Sequence, residues 1–165
     1  MITYLPRFLP VGDQPFELAE TCVTVAQYAI YLAATGGEVT HSADDADKPV
    51  VNVTYHDAGA YCAWLSKETG TSIRLPTEKE WQLAASPDGR TYAWGNEEPD
   101  HDRCDFWQAG KTGPDSVFAH PSGAGKYGHL GLAGGVWEWT SSLYASGGSF
   151  RVLRGGSWFF VAKDE

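Results

Sequence analysis

The stretch "LAGGVWEWTSSLY", residues 132–144, decides the fold prediction for this chain. It places Glu138 between two tryptophans, Trp137 and Trp139, just after a Gly-Gly step. Alternate residues of a β-strand point to opposite faces of the sheet. We therefore predict that both tryptophans pack in the core and that Glu138 points the other way. Its carboxylate would then be either a buried hydrogen-bond acceptor or a metal ligand.

Length and composition limit the class of protein that this sequence can encode. The chain has 165 residues, which suits a single domain covering residues 1–165, and its 42% hydrophobic and 20% charged residues are globular values. The formal net charge of −9 repels phosphate backbones, so we expect no nucleic-acid partner. We expect no membrane span and no secretory signal, because the sequence has neither a long apolar run nor a basic n-region. Localisation stays open, between the cytoplasm and association with a virion or a surface.

The cysteines and histidines give no metal-binding spacing. Cys22, Cys62 and Cys104 are far apart and match no zinc signature. We interpret them as buried thiols of a reducing compartment, with one long-range disulfide as the alternative. The five histidines show no helical pairing, and a metal site in "DHDRCD" (residues 100–105) is less favoured than a solvated loop.

Hydrophobic spacing and cap residues predict two helices, over residues 24–35 and 56–69. A capping box from Thr77 to Glu80 predicts one or two further helical turns. Residues 88–135 are rich in Gly, Pro, Asn and Asp, which predicts a long irregular stretch. The closing segments "GVWEWTSSLY" and "RVLRGGSWFFV" read as two strands joined by "ASGGS". Together these elements predict an α+β domain.

Five blocks of the sequence carry a family resemblance: "PVVNVTYHDAGAYCAWL", "RLPTEKEWQLAA", "YAWGNE", "GGVWEWTSS" and "RVLRGGSW". In this order they resemble the formylglycine-generating-enzyme (sulfatase-modifying factor) family, whose domain is a variant of the C-type lectin fold. The resemblance implies an α+β, C-type-lectin-like architecture with two helices, small antiparallel sheets and long irregular loops.

The resemblance also implies calcium sites, and calcium takes six to eight oxygen ligands. At one site, Glu138 would bind together with the carbonyls of Gly134 and Val136. This sequence departs from the family there, because Gly131 and Gly135 stand where relatives carry side-chain oxygens. The departure weakens or abolishes that site.

A second calcium site implied by the resemblance uses Asp105 and the carbonyl of Phe106, in "CDFWQ". Calcium is the one cofactor candidate, and we predict that no cofactor is required.

Catalysis by the formylglycine-generating enzymes depends on a cysteine pair after the "GGS" turn. Here Phe160 and Glu165 occupy the matching positions, and neither can act as a thiolate or bind copper. Other relatives are sulfoxide synthases that need an iron-binding histidine cluster, which this chain lacks. We therefore predict that the protein is not an enzyme.

A further branch that this domain resembles is the variable proteins of diversity-generating retroelements, which bind ligands through a hypervariable surface. The resemblance implies a non-catalytic ligand-binding protein whose partner is a protein or cell-surface ligand of unknown identity. Its predicted contact residues are Ser149, Phe150, Trp158, Phe159 and Phe160. We expect one of the two adjacent phenylalanines to be buried and the other exposed, because a strand alternates faces.

The family usually continues beyond "RGGSW" to a further strand, whereas this sequence stops at Glu165. An uncovered strand edge favours pairing with another chain, so we predict a homo-oligomer formed through it. Two alternatives to ligand display stay open. One is an enzyme or enzyme subunit related to the formylglycine-generating oxidases that uses other residues. The other is an accessory structural subunit.

Overall fold

The computed structural model describes residues 5–38 and 43–160. Within these ranges the chain forms three α-helices: α1 (Val25–Thr35), α2 (Tyr55–Thr69) and α3 (Glu78–Ala85). It also forms two antiparallel hairpins, pairing β1 (Phe8–Pro10) with β2 (Glu17–Ala19) and β3 (Glu138–Leu143) with β4 (Arg151–Arg154). The architecture is thus α+β, as predicted. None of the described helices is long and apolar enough to cross a membrane.

All three helices begin in the same way, with a threonine N-cap and a reciprocal capping box. The two predicted helices are confirmed, and left-handed glycines, Gly36 and Gly70, end them. The expectation of only two helices is wrong. The capping box of Thr77 and Glu80 starts a complete eight-residue helix, α3, whose inner face buries Trp81.

The buried side chains form two clusters. One surrounds α3 and includes Trp81, Ala84 and Leu132. The other lies between α1 and α2 and contains Tyr28, Tyr61 and Leu65. The first cluster lies beside the β3–β4 hairpin, because α3 contacts both of these strands.

Trp139 and Trp137 do not share one buried face. Trp139 is partly buried, its Nε1 donates to the carbonyl of Val53 at 3.1 Å, and its ring meets Tyr55 edge-on. Trp137, by contrast, is 49% exposed, so the prediction that it packs in the core is wrong. The reason is that the strand begins only at Glu138, so strand alternation does not extend back to Trp137.

The predicted irregular stretch is confirmed. Within residues 88–135, all of which the structure describes, the only helix or strand element is a three-residue 3₁₀ turn, Pro121–Gly123. Gly134 and Gly135 fix the end of this stretch against the Asp105 loop. Both have positive φ, and Gly135 N donates to the Asp105 carbonyl at 2.7 Å. A Cβ on Gly134 would lie 2.3 Å from the same oxygen, so only glycine allows this approach.

Candidate functional site

A cleft of about 330 Å³ lies between α3, the irregular stretch and the end of β4. We call it the Trp81 cleft. Its walls include side chains from four parts of the chain, and they are mostly aromatic or small. The residues that matter for its chemistry are Trp81, Gln82, Tyr92, Trp94, Cys104, Phe106, Arg154, Ser157 and Phe160.

Arg154 supplies the positive charge of the cleft wall. Its guanidinium lies 5.1 Å from the centre of the Trp81 ring, and Nη1 is 3.6 Å from a Glu78 carboxylate oxygen. Nη2 donates to the side-chain oxygen of Gln82, whereas Nε is buried without a hydrogen-bond partner. Stacking and pairing hold the guanidinium in one orientation, which suits recognition of an anionic group.

Flat aromatic rings form another part of the wall. Tyr92 and Trp94 stack with ring centres 5.0 Å apart and planes 8° from parallel. Trp94 is fixed further by its Nε1, which donates to the Glu97 carbonyl at 3.0 Å. Such rings offer contact area that loses little conformational entropy on binding.

Cys104 is the cysteine of the cleft wall, and it is 5% exposed. Burial raises the pKa of its thiol to about 11, helped by the negative charges of Asp100 and Asp105. Burial also raises the pKa of Cys22 and of Cys62. All three cysteines are free thiols, as interpreted from the sequence, but only Cys104 is buried, whereas Cys22 and Cys62 are partly buried. The pKa shifts keep all three protonated at neutral pH.

Glu138 has an unusual environment at the start of β3. Its Oε1 is buried and has no hydrogen-bond partner, and the same holds for Nε1 of Trp81. Burial raises the pKa of the carboxyl group to about 7. The Trp81 N–H and the Cys22 thiol face the carboxyl group and lower this pKa in part, although the Trp81 N–H does not reach normal hydrogen-bond geometry. A Cβ on Gly155 would lie 3.5 Å from Oε1 and 3.4 Å from the Val136 carbonyl oxygen, so both oxygens face one region.

A buried carboxylate needs a proton or a cation as partner. Two oxygens that face one region are compatible with a cation, but they are far fewer than the six to eight that calcium takes. Gly131 and Gly135 add no side-chain oxygen here. Calcium binding by Glu138 and the carbonyls of Gly134 and Val136 stays a prediction.

Asp105 is 5% exposed, and its carboxylate belongs to a polar cluster of four side chains. The cluster lies next to a second small cavity. Lys111 Nζ lies 2.5 Å from Asp105 Oδ1 and 2.6 Å from Asp115 Oδ2. His120 Nε2 is 3.1 Å from the same Asp115 oxygen. The sequence prediction named Asp105 with the Phe106 carbonyl and missed the other three residues, because no local spacing links them to Asp105.

The predicted contact residues divide between two places. Trp158, Phe159 and Phe160 lie together near the Trp81 cleft, whereas Ser149 and Phe150 lie at the opposite end of the β3–β4 hairpin. The expectation that one phenylalanine is buried is wrong, because Phe159 is 65% and Phe160 56% exposed. Their backbone forms a turn, in which Phe160 N donates to the Ser157 carbonyl, so no strand alternation applies. Residues 161–165, including the Glu165 position, lie outside the described residues.

Comparison with known proteins identifies the class of this domain. The sulfatase-modifying factor enzyme 1-like domain of the FGE-sulfatase family matches residues 10–164. The chain belongs to this family.

Three relatives illustrate the range of the family. The chain is 43% identical over 128 residues to the mouse protein "Inactive C-alpha-formylglycine-generating enzyme 2", covering 69% of this chain and 39% of that protein. It is 40% identical over 136 residues to "Hercynine oxygenase" of Mycobacterium tuberculosis, covering 68% and 30%. It is 31% identical over 223 residues to "Formylglycine-generating enzyme" of Streptomyces coelicolor, covering 88% and 68%. The chain thus spans less than half of the first two proteins.

The fold agrees with that of a solved relative in structure. PvdO from Pseudomonas aeruginosa superposes with a TM-score of 0.74 at 21% identity, covering 90% of this chain and 70% of PvdO. This likeness shows the fold alone. The label C-type-lectin-like is consistent with it and stays an expectation.

The prediction that the protein is not an enzyme is overturned by these relatives. Hercynine oxygenase and formylglycine-generating enzyme are named as enzymes, although an inactive member also matches. The error came from equating one cysteine pair with all the chemistry of the family. None of the relatives named above is a variable protein of a retroelement, so that relationship stays a prediction.

Proposed function

We propose that the chain is an enzyme domain or enzyme subunit of the FGE-sulfatase family that binds its substrate in the Trp81 cleft and uses residues other than a cysteine pair. The observation that carries the proposal is the fixed guanidinium of Arg154 in the wall of an aromatic cleft. The cleft volume of about 330 Å³ falls in the range of small-molecule sites.

The substrate that this cleft suits is a small acid with a flat ring. Arg154 would bind the acidic group, because a charge-assisted hydrogen bond to an oriented guanidinium is strong and directional. The stacked pair of Tyr92 and Trp94 would pack against the ring. The name of hercynine oxygenase makes hercynine the first compound to test. A cysteine-containing peptide is the second, and it tests the enzyme proposal without the preference for a flat ring.

The reaction class that we propose is oxidation by dioxygen, by analogy with the relative named hercynine oxygenase. Cys104 does not serve as the nucleophile of this reaction, since burial raises the pKa of its thiol to about 11. The described residues of this cleft therefore supply substrate binding and orientation. The oxidising centre would lie elsewhere in the same protein.

The test is a turnover assay with the purified protein. Dioxygen uptake and product mass are followed with hercynine or a cysteine-containing peptide, with Fe²⁺ or Cu⁺ added in turn. Quenching of tryptophan fluorescence reports binding, because Trp81 and Trp94 line the cleft. Saturable quenching with uptake of dioxygen is expected for one of the two compounds. If neither compound produces fluorescence quenching or dioxygen uptake, the proposal that this cleft binds a substrate for oxidation is refuted.

A second candidate function is that of a subunit which assembles with another protein chain. Three aromatic side chains in contact support it: Trp137 and Phe159 both meet the ring of Phe160, which lines the cleft. Trp137, Phe159 and Phe160 are 49%, 65% and 56% exposed. Exposed aromatic clusters are typical of contact surfaces. This proposal includes a protein ligand, whereas the predicted homo-oligomer would form through an uncovered strand edge and is a separate prediction. Light scattering at high protein concentration tests the homo-oligomer. A monomeric mass at every concentration would exclude it.

A further inference from the structure

The cluster of Asp105, Asp115, His120 and Lys111 is the group of charged side chains that the Trp81 cleft does not use. The two carboxylates and the imidazole form the only set of three potential metal ligands found among residues 5–38 and 43–160. Their ligand atoms all lie within 4.8 Å of one another. The resemblance of this loop to calcium-binding relatives implies a metal here, through Asp105.

The contacts of Asp105 do not fit such a metal. Its Oδ1 lies 2.5 Å from Lys111 Nζ, and its Oδ2 accepts from the backbone N of Asp115 at 2.9 Å. Oδ2 therefore accepts a hydrogen bond, whereas the buried Oδ1 has the ammonium group as its ion-pair partner and accepts no hydrogen bond of normal geometry. Lys111 Nζ also lies 2.6 Å from Asp115 Oδ2, between the two carboxylates.

Burial makes this arrangement strong. The Lys111 side chain is 11% exposed and the Asp105 side chain 6%. A lysine is seldom buried without a partner, and a buried carboxylate needs a positive charge nearby. The carboxylates of Asp105 and Asp115 raise the pKa of Lys111 against the effect of burial, so the ammonium group stays charged.

We infer that Lys111 is the resident cation of this loop, and that its ammonium group takes the place of a metal ion. The chain holds its Asp105 loop together without calcium. Because the carbonyl of Asp105 also binds Gly135 N, the same ammonium group supports the Gly-Gly step that leads into β3.

The first arm of the test is calcium binding by the wild-type protein. After dialysis against a chelator, isothermal titration with CaCl₂ is carried out on the wild type and on D105N. We expect no calcium binding at this loop and a melting temperature that changes by less than about 1 °C with chelator or calcium. Calcium binding that the wild type shows and D105N lacks would overturn the inference.

The second arm removes the ammonium group. K111M leaves a buried carboxylate without its cation, and we expect the melting temperature to fall by about 10 °C. K126M is the matched control, because Lys126 is 49% exposed and lies 3.5 Å from Asp88. The control should change the melting temperature by no more than about 1 °C.

The double variant D105N/K111M separates loss of the cation from loss of side-chain packing. It removes the uncompensated charge, so it should melt at a higher temperature than K111M. A K111M protein as stable as the wild type, or a double variant less stable than K111M, would contradict the inference. If K111M does not fold, the calcium arm on the wild-type protein still decides.

Discussion

Replacing Gly134 by alanine should destabilise the protein much more than the same change at Gly135. The two glycines are neighbours with similar backbone angles, φ +80° and +70°. An added Cβ at Gly135 has no heavy atom within 4 Å, whereas at Gly134 it would lie 2.3 Å from the Asp105 carbonyl oxygen. The comparison therefore isolates the cost of the close approach.

The expected magnitudes follow from two contributions. A left-handed backbone costs a non-glycine residue about 1–2 kcal/mol, and this applies to both variants. At Gly134 the carbonyl of Asp105 must also move by about 0.7 Å to restore the 3.0 Å minimum contact. That shift weakens the 2.7 Å hydrogen bond from Gly135 N, which adds about 1–2 kcal/mol. We expect a loss of about 2–4 kcal/mol for G134A and about 1–2 kcal/mol for G135A.

Urea denaturation followed by tryptophan fluorescence gives both free energies of unfolding. Each kcal/mol corresponds to about 2–4 °C in melting temperature for a domain of this size, so thermal melts provide a second readout. Equal losses in the two variants would refute the claim that the Asp105 loop presses against Gly134.

Three further predictions concern other parts of the fold. Hydrogen bonds from Arg74 lower the pKa of Glu80 to about 2, so its stabilising effect is complete above pH 4.5 and is lost as the pH falls towards 2. In E80Q the loss of stability on the acid side of the pH–stability curve should be smaller by about 1 kcal/mol, a low value because Arg74 is 59% exposed. Acid titration followed by circular dichroism measures this curve, and a curve identical to that of the wild type would contradict the prediction. Cys104 should react with a disulfide reagent at pH 7.5 more than 100-fold more slowly in the folded protein than in urea, given its thiol pKa of about 11, and rapid native labelling would contradict this. Replacing Trp139 by phenylalanine removes the 3.1 Å hydrogen bond to the Val53 carbonyl and should cost about 1 kcal/mol in urea denaturation, whereas a neutral effect would show that the bond contributes nothing.

Local sequence signals predicted the helices well. Thr24 and Gly36 bound α1 as the cap rules require, and Gly70 ends α2, because caps act within one turn and need no tertiary information. The sequence also marked the start of α3 at Thr77, but its length depended on the burial of Trp81, which is a tertiary effect.

The candidate site was harder to predict, because its residues meet only through the irregular stretch. Lys111 and Asp115 lie close together in sequence, but nothing local indicates that Asp105 and His120 join them. Trp137 was misplaced for a related reason. Strand alternation assumes that the strand has already begun, and the pairing that begins β3 at Glu138 is non-local.

The central claim, that substrate binds in the Trp81 cleft through Arg154, is tested most directly by isothermal titration of R154M with the compound that shows turnover. Loss of one charge-assisted hydrogen bond should weaken binding about 10-fold or more. R7M is the matched control, because Arg7 is 70% exposed, pairs with Glu20 and is not among the residues lining the cleft. We predict that R154M binds the compound more weakly than the wild type and that R7M binds it with wild-type affinity. Circular dichroism should show that both variants are folded. Wild-type affinity in R154M would contradict the account.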